Sequence, residues 1–486
     1  MRVLLASSEV HPYSKTGGLA DATAALGKAL AKAGHRVGIV TPLYRGVREQ
    51  FPALRKLDWH FDFSLDGKFP GGEVWTLQPT KGLTVYFINH PEYYDRPGIY
   101  NEHGTDYWDN GERFIYLCKC VTHLARYLPW RPQVVHVSDW QTGLVPLMIL
   151  HQARAGRWAE PPISCFTIHN LSYQGWFPGA AYRLTNLPTE YFHGQGAEQY
   201  GVLNCLKAGI AYSDVVTTVS PRYAREITTQ EHGEGLDWLL RQRQGQGRLV
   251  GILNGVDYEE WNTTHNRWLK AAYSIADLQG KSINKAALQR ELGLPIRPDI
   301  PLFGTITRLA DQKGVDIELG ALEEMLASGM QFVLLGSGSP LLEAAFVSLA
   351  KRFPDKVHAR IGYDHGLAHR IEAGCDFYLM PSRFEPCGLN QMYSLRYGTI
   401  PVVRRTGGLD DSVIDAGDDP VGANGIKFGN YSSSALSEAI RKALSIFAHP
   451  AVLRHYQKNG MRANLGWDSA VARYEQVYIA ASTPYK

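Results

Sequence analysis

The chain has 486 residues, which is long for a single hydrophobic core and favours two domains of similar size. Hydrophobic residues make up 44% and charged residues 20%, as in an ordinary globular protein, and a net charge of +3 without runs of Lys or Arg argues against nucleic-acid binding. No apolar run approaches the roughly 18 residues that a membrane span requires, and the strand pattern begins at the N-terminus without a cleavage signature. The six Cys show neither metal-like nor disulfide-like spacing, which predicts a reducing, cytoplasmic location.

The first element is a β–loop–α unit. Val3–Ser7 predicts a strand and Leu19–Ala33 a helix, and the loop between them contains Lys15-Thr16-Gly17-Gly18. Two glycines allow a ligand to approach the backbone at the start of a helix, and Lys15 adds a positive charge, so the loop suits an anionic ligand. A tight turn with a solvated lysine is the alternative. The loop is neither G-x-G-x-x-G nor a Walker A sequence, so neither dinucleotide nor P-loop chemistry is supported. Asp21 either complements the helix dipole or binds ligand hydroxyls.

Polar residues recur where strands of the first half end. Further strands are predicted at 37–40, 74–77, 83–88, 134–137, 165–168 and 215–219, with helices at 114–127 and 142–152. Glu9, Asp139, His169 and Ser220 follow four of the strands; one such residue is usually a turn or a cap, but four on one sheet edge indicate a site. His169 alone fits a structural histidine equally well. The aromatic loop at 93–110 is long enough to be functional or mobile.

The second half alternates strands with helices. Strands are predicted at 303–307, 332–335, 357–361, 377–380 and 400–403, and helices at 281–292, 315–327, 341–352, 366–373 and 434–447. This alternation predicts a parallel sheet covered on both faces. We therefore expect domains at 1–253 and 254–465. A last helix, near 469–481, could pack on either domain.

The strand ends of the second domain carry the chemistry of a diphosphate and a sugar. Arg308 and Lys313 flank one strand–helix turn beside Gly-rich helix starts, a pattern that suits a diphosphate, although two solvated surface cations are the alternative. Tyr363 is either a base-stacking residue or a partly buried one. Glu385 lies in the loop 382–390 next to free helix N–H groups, and a carboxylate in that company suits a neutral polyol such as a sugar. The motifs D-x-D and H-x-x-x-H do not form convincing units, so no metal is expected. Two such domains predict a cleft for glycosyl transfer from a nucleotide-sugar to an acceptor.

Six segments together resemble the bacterial glycogen synthase and plant starch synthase family: Lys15–Asp21, His169–Leu171, Leu253–Asp257, Arg308–Gly314, Pro381–Leu389 and Arg404–Leu409. The resemblance implies the GT-B architecture, an α/β fold of two Rossmann-like, doubly wound domains with parallel sheets that face each other across a deep cleft. It implies an acceptor-binding first domain, a nucleotide-sugar-binding second domain, and a C-terminal segment, 466–486, that returns to the first. The implied reaction transfers glucose from ADP-glucose to the non-reducing 4-OH of an α-1,4-glucan such as glycogen, with retention and without a metal or cofactor.

The resemblance also implies roles for individual residues. The implied catalytic group is Asp139, His169, Arg308, Lys313 and Glu385. The implied substrate-binding group is Lys15, Gly17, Gly18, Asp21, Asn170, Asn254, Gln312, Tyr363, Ser382, Cys387, Gly388, Leu389, Asn390 and Gly407. Within these groups His169 and Asn254 would contact the sugar near its 6-hydroxyl, and Tyr363 would stack on adenine. One position departs from the wider group of retaining GT-B enzymes, because Tyr393 stands where a second Glu would bind ribose, so ribose contacts are expected around Leu389 and Asn390.

Several alternatives stay open from the sequence. Front-side displacement is favoured over double displacement, because no motif residue is an evident carboxylate nucleophile. Tyr363 would stack on uracil as well as on adenine, so residue chemistry does not separate ADP-glucose from UDP-glucose. A sugar-nucleotide epimerase and a non-catalytic glucan-binding protein are the competing functions, and a glucan phosphorylase is disfavoured because it is much longer and holds pyridoxal phosphate. No oligomeric state is predicted.

Overall fold

The computed structural model describes residues 1–482, which form two compact units. Unit 1 contains Met1–Gly255 and the segment that begins at Trp467, and unit 2 contains Val256–Gly466. The sequence places the first division at 253/254 and the return to the first domain at 466, close to these positions. The predicted returning segment extends to 486, and its positions 483–486 lie outside the described residues.

Unit 1 is built on a nine-stranded sheet with the order β14-β13-β9-β8-β1-β2-β5-β4-β3. Pairing is parallel from β14 to β5, while β4 and β3 are antiparallel additions at one edge. A separate three-stranded antiparallel sheet has the order β10-β12-β11, and β6 pairs with β7. The strands are β1 (Arg2–Ala6), β2 (Arg36–Pro42), β3 (Arg55–Lys56), β4 (Glu73–Thr80), β5 (Leu83–Asn89), β6 (Asn101–Glu102), β7 (Thr105–Asp106), β8 (Val134–Ser138), β9 (Ile163–Ile168), β10 (Trp176–Pro178), β11 (Glu198–Gln199), β12 (Val202–Asn204), β13 (Val215–Thr218) and β14 (Leu249–Gly251).

The helices of unit 1 are α1 (Gly18–Lys32), α2 (Val47–Gln50), α3 (Pro91–Tyr94), α4 (Asn110–Tyr127), α5 (Val145–Arg154), α6 (Cys205–Tyr212), α7 (Pro221–Glu226) and α8 (Asp237–Gly245), together with the last helix of the chain. The predicted helix at 142–152 differs from the observed one, because a 3₁₀ turn at Trp140–Thr142 precedes α5. Pro146 explains the late start of α5: it lies in the first helical turn, where its missing N–H costs no intrahelical bond.

Unit 2 contains a six-stranded, fully parallel sheet with the order β17-β16-β15-β18-β19-β20. Its strands are β15 (Leu302–Leu309), β16 (Gln331–Gly338), β17 (Val357–Ile361), β18 (Phe377–Met380), β19 (Ile400–Arg404) and β20 (Ile426–Phe428). Its helices are α9 (Gln279–Glu291), α10 (Val315–Met325), α11 (Pro340–Arg352), α12 (His365–Gly374), α13 (Asn390–Tyr397), α14 (Gly407–Ser412), α15 (Ser433–Phe447) and α16 (Pro450–Arg462). The predicted α/β class with parallel sheets in two units is therefore confirmed.

The final helix, α17 (Trp467–Ala481), belongs to unit 1. Its buried face includes Val471, Tyr474 and Tyr478, which join the hydrophobic core of the nine-stranded sheet. The Tyr478 hydroxyl lies 2.7 Å from His136 Nδ1 on β8. Burial lowers the pKa of His136 to about 3, so this contact joins two neutral groups.

Two expectations from composition can be compared with the structure. None of the six Cys forms a disulfide bond, and all six are buried. Among the helices in residues 1–482, none combines the length and the apolar character that a bilayer span needs.

Candidate active site

Glu385 is the most constrained carboxylate of unit 2. It lies in the loop between β18 and α13 and is 6% exposed. One of its oxygens, Oε2, accepts hydrogen bonds from Lys313 Nζ at 2.7 Å and from Ser382 Oγ at 2.9 Å. The other oxygen, Oε1, accepts none from residues 1–482. One oxygen is thus fixed by the protein, and the other remains able to accept a hydroxyl.

Backbone contacts hold this loop in place. Gln312 accepts the Arg383 N–H through its carbonyl oxygen at 2.8 Å, which ties the turn after β15 to the loop. Gly314 has φ = 70°, and a Cβ there would lie 2.0 Å from the Pro381 carbonyl oxygen. Gly407 has φ = 43°, and a Cβ there would lie 1.9 Å from the Glu385 carbonyl oxygen. Because both positions require glycine for close packing, Gly407 has a structural role beside its predicted contact with substrate.

Two further side chains of unit 2 that are predicted to bind the donor are open to solvent. Arg308, near the end of β15, is exposed and makes no ion pair with a described residue. The Tyr363 ring is 73% exposed, and its hydroxyl lies 3.2 Å from His365 Nδ1. The partly buried alternative for Tyr363 is therefore wrong, and its ring face is available for stacking.

In unit 1, Glu9 organises the loop that precedes α1. Its carboxylate accepts hydrogen bonds from Thr16 Oγ1 at 2.6 Å, from the Thr16 and Gly17 N–H groups, and from the Tyr100 hydroxyl at 2.7 Å. Lys15 Nζ lies 2.8 Å from Asp21 Oδ2. Asp21 is thus a partner of the predicted phosphate-binding lysine, which adds a third interpretation to the two that the sequence offered.

Asp139 and His169 meet at the ends of β8 and β9. The Asp139 carboxylate is buried and accepts the His169 N–H at 2.7 Å, and the Asn170 N–H is a further donor. Asp139 itself has φ = 57°, an unusual backbone for a residue other than glycine. Burial raises its pKa to about 7 and lowers the pKa of His169 to about 4. Asp139 therefore positions the His169 turn, and His169 is a neutral hydrogen-bonding group at neutral pH.

A small cavity in unit 1 brings two predicted sugar-binding residues together. His169 and Asn254 both line it, beside His136 on β8 and Tyr474 on α17. Asn254 is buried. The sequence separation of these residues gives no sign of this proximity, which follows from the parallel order of β8, β9, β13 and β14.

Comparisons with known proteins agree along the whole chain. The family profile described as "Starch synthase catalytic domain" matches residues 2–242, and the profile described as "Glycosyl transferases group 1" matches residues 293–460. The glycogen synthase of Anaeromyxobacter sp. (strain Fw109-5) is 48% identical over 486 residues and covers 100% of both chains. The glycogen synthase of Moorella thermoacetica is 42% identical, covering 99% of this chain and 97% of its own. This chain belongs to the glycogen synthase family.

Solved structures agree with this assignment. The catalytic domain of starch synthase IV from Arabidopsis thaliana, bound to ADP and acarbose, superposes with a TM-score of 0.89 at 35% identity, covering 99% of each chain. Sucrose-phosphate synthase from Thermosynechococcus elongatus has a TM-score of 0.60 at 19% identity, which shows the shared fold alone. The fold is thus GT-B, and the chain is a glycosyltransferase of the glycogen and starch synthase type. The predicted resemblance is confirmed.

Several predicted binding residues of this glycosyltransferase have structural partners. Asn390 Nδ2 donates to the Ile306 carbonyl and to the Tyr378 hydroxyl, both at 2.7 Å, so its amide anchors α13 to β15 and β18. Gly388 has φ = 69°, and a Cβ there would lie 2.5 Å from Gln391 Oε1. Tyr393 is buried and stacks on Trp261 with ring centroids 3.7 Å apart. The position at which related retaining enzymes have a ribose-binding Glu is therefore occupied here by a tyrosine that stacks on Trp261.

The remaining predicted residues lie in the loops already described, each within its own unit. Cys387 is buried, Leu389 precedes the first residue of α13, and Gly18 begins α1. Asn170 Oδ1 accepts the Ser172 N–H at 3.1 Å, which stabilises the turn that follows His169.

One side-chain group in unit 2 could hold a metal ion. Glu260, His365 and His369 place one ligand atom each within 4.8 Å of one another. His365 and His369 form an H-x-x-x-H unit on α12, which is the motif that the sequence analysis did not count as a convincing metal site. The hydrogen bonds nevertheless oppose metal binding: Asn266 Nδ2 donates to the buried Tyr397 hydroxyl, whose own proton needs an acceptor, and His369 Nδ1 at 2.9 Å is that acceptor. This places the ring proton of His369 on Nε2, the nitrogen that faces His365.

Sequence reasoning missed the organising role of Glu9. The sequence indicates Glu9 only as a polar residue after a strand, because its contacts with Thr16 and Gly17 depend on how the intervening chain turns back. A carboxylate shortly before a Gly-rich loop is the one signal that could have indicated a residue holding that loop.

Proposed function

We propose that this glycosyltransferase moves glucose from ADP-glucose to the non-reducing 4-OH of an α-1,4-glucan such as glycogen, with retention at the anomeric carbon. The family assignment supports glucosyl transfer, and the ADP bound to the related starch synthase IV supports the adenine nucleotide. We also propose that the reaction takes place in the cytoplasm, since six buried Cys without a disulfide bond fit a reducing compartment.

The arrangement of Glu385 is the observation that carries the proposal. Lys313 and Ser382 occupy one oxygen of a buried carboxylate and leave the other able to accept a hydrogen bond. A sugar hydroxyl can donate to that oxygen, whereas a phosphate oxygen would be repelled by the carboxylate. We therefore assign Glu385 to holding the glucose hydroxyls, next to the backbone N–H groups at the start of α13.

Arg308 and Lys313 supply the charge that unit 2 offers to the diphosphate. Arg308 is exposed and unpaired among the described residues, and the Lys313 ammonium can donate two further hydrogen bonds beside the one to Glu385. These cations would neutralise the departing diphosphate, so the proposal requires no metal or cofactor in the chemical step.

The reaction follows a front-side route in this proposal. The bond between the anomeric carbon and the diphosphate oxygen breaks, the acceptor 4-oxygen bonds to the same face of that carbon, and the acceptor proton moves to the departing phosphate. Double displacement would need a carboxylate nucleophile. Asp139 is a poor one, because its oxygens accept the backbone N–H groups of the His169 turn and its raised pKa of about 7 leaves it partly protonated at neutral pH.

A turnover assay tests the function directly. The purified chain is incubated with glycogen and either ADP-glucose or UDP-glucose, and nucleotide release is measured together with chain extension. We expect extension with ADP-glucose, an unchanged rate after EDTA treatment, little activity in Glu385→Ala and substantial activity in Cys387→Ser. Nucleotide release without chain extension would contradict the proposed acceptor, and trapping of a glucosyl-enzyme adduct would contradict the front-side route.

A further inference from the structure

Two exposed aromatic rings stand side by side on the small sheet of unit 1. Trp176 on β10 is 46% exposed and Tyr200, between β11 and β12, is 81% exposed. Their ring centroids are 6.1 Å apart with an interplanar angle of 35°. We call this pair the aromatic platform. Large exposed aromatic side chains that adjoin one another are a feature of binding surfaces, whereas isolated ones need no explanation.

The platform has a rigid support. Phe177, the neighbour of Trp176 along β10, points to the opposite face and packs against Trp140 with centroids 5.5 Å apart. The Trp176 indole Nε1 donates to Gln174 Oε1 at 3.0 Å, and the buried Asn204 amide donates to the same oxygen at 2.6 Å. The orientation of the indole is therefore set by a buried hydrogen-bond network, and its face remains open.

Tyr200 is held in an unusual backbone conformation. It begins a two-residue hairpin turn with Gly201, and the two residues have φ values of 54° and 82°. Asn, Asp or Gly normally fills the first position of such a turn, because a bulky side chain is disfavoured at positive φ. The Glu198 carboxylate accepts the Gly201 N–H at 2.6 Å and helps to hold the turn. The exposed Tyr200 ring therefore stands on a tight turn whose backbone favours residues other than tyrosine.

The surrounding charge narrows the class of ligand. Stacking on aromatic rings is shared by sugars and by nucleic-acid bases, but single-stranded nucleic acid also needs a basic groove. The charged side chain that is hydrogen-bonded to the turn is that of Glu198. The nearby Lys207 ammonium donates its hydrogen bonds to the carbonyl oxygens of Gly194 and Glu198. An acidic neighbour disfavours a polyanion and is compatible with a neutral chain. The weakly positive C–H face of a pyranose complements the negative face of an aromatic ring.

We propose that the aromatic platform is an accessory binding site for the α-1,4-glucan, at which glucose units stack on Trp176 and Tyr200. The inference rests on the proposed function, which makes a glucan the polymer that this chain meets. The platform belongs to the segment that follows the His169 turn in sequence, since Gln174 and Trp176 come shortly after Asn170. Such a site would raise the local concentration of a polymeric acceptor without taking part in the chemical step.

Affinity electrophoresis of the full-length chain in native gels containing glycogen tests the platform. We expect Trp176→Ala and Tyr200→Gly each to weaken glycogen binding about tenfold, on the scale of losing one base stacked on an aromatic side chain. Tyr200→Gly also relieves the positive φ, so its melting temperature should not fall and a folding defect is excluded as the cause. Phe69→Ala, which removes an aromatic side chain that is 76% exposed outside the platform, is the matched control and should bind normally.

The outcomes separate this proposal from the function itself. Wild-type affinity for glycogen in both platform variants would overturn the accessory site, and so would retardation of the wild-type chain by single-stranded DNA rather than by glycogen. Retention on glycogen that depends on the platform, in a chain that fails to extend glycogen from ADP-glucose, would support the site and contradict the proposed function.

Discussion

At the scale of single residues, the two cations of unit 2 differ in their surroundings. Arg308 is exposed and unpaired among the described residues, so Arg308→Ala should leave the melting temperature unchanged and lower kcat by about 10²–10³, the usual cost of a preorganised electrostatic group. Arg454→Ala, at an exposed position on α16, is the control. Near-normal turnover of Arg308→Ala would remove it from the diphosphate site.

Lys313 should behave differently from Arg308. Its ammonium pairs with Glu385, and the two side chains are 17% and 7% exposed. Lys313→Ala would leave a buried carboxylate without its partner, which typically costs about 3–5 kcal/mol of folding stability. We therefore expect Lys313→Ala to lower both kcat and the melting temperature, whereas the double variant with Glu385→Gln should recover much of the lost stability and none of the activity.

The raised pKa of Asp139 leads us to expect that activity depends on pH. Because burial raises its pKa to about 7 in the folded protein, the protonated form is favoured below that pH, and the carboxylate that accepts the His169 N–H predominates only above it. The rate should therefore fall as pH decreases through about 7, because protonation removes the negative charge that strengthens the hydrogen bonds from the His169 and Asn170 N–H groups. Asp139→Asn keeps an acceptor oxygen that does not titrate, so its profile of kcat/KM should lack this limb. An unchanged limb in Asp139→Asn would assign it to another group.

At the scale of elements, alanine substitutions at two glycines of the predicted site should have opposite effects on folding stability. Gly17 has φ = −155°, and a Cβ there would meet no heavy atom within 4 Å, so nothing in the fold requires glycine. Gly17→Ala should leave thermal stability intact and lower activity, if the loop closes on the diphosphate. Gly407→Ala should lower stability itself, because its Cβ would clash with the Glu385 carbonyl at a positive φ. Thermal melts beside turnover numbers distinguish the two; full activity of Gly17→Ala would assign the loop a structural role only.

Elements with strong periodicity could be predicted from the sequence, and those fixed by tertiary contacts could not. The strand predicted at 377–380 and the helix predicted at 434–447 lie within a residue or so of β18 and α15, since each has a clear hydrophobic pattern. The three-stranded sheet of β10, β11 and β12 was missed, because its strands are short and pair across irregular chain. Site residues follow the same division. Glu385 and Arg308 stand in recognisable motifs, whereas the Glu9–Thr16 contact depends on how the intervening loop turns back and the Asn390–Ile306 contact on how distant segments meet.

At the scale of the whole molecule, the chain completes unit 1 only with its last helix. α17 contributes Trp467, Tyr474 and Tyr478 to the core of the nine-stranded sheet, each less than a tenth exposed. Removing one large core side chain typically costs about 3–5 kcal/mol of folding free energy. Losing three such side chains would therefore remove most or all of the roughly 5–15 kcal/mol that stabilises a domain. The early strands of unit 1 therefore cannot reach their final stability until α17 packs against them.

A chain shortened to residues 1–466 tests this dependence. We expect it to lose the cooperative melting transition of unit 1 and to be cleaved rapidly by protease within 1–255, because the apolar face that α17 covers would meet water. Tyr478→Phe is the control for the single hydrogen bond to His136: it keeps the ring and should cost only about 1–2 kcal/mol, measured as a small decrease in melting temperature with activity retained. If the shortened chain melted and resisted protease like the full one, α17 would be an appendage of unit 1 and not part of its core.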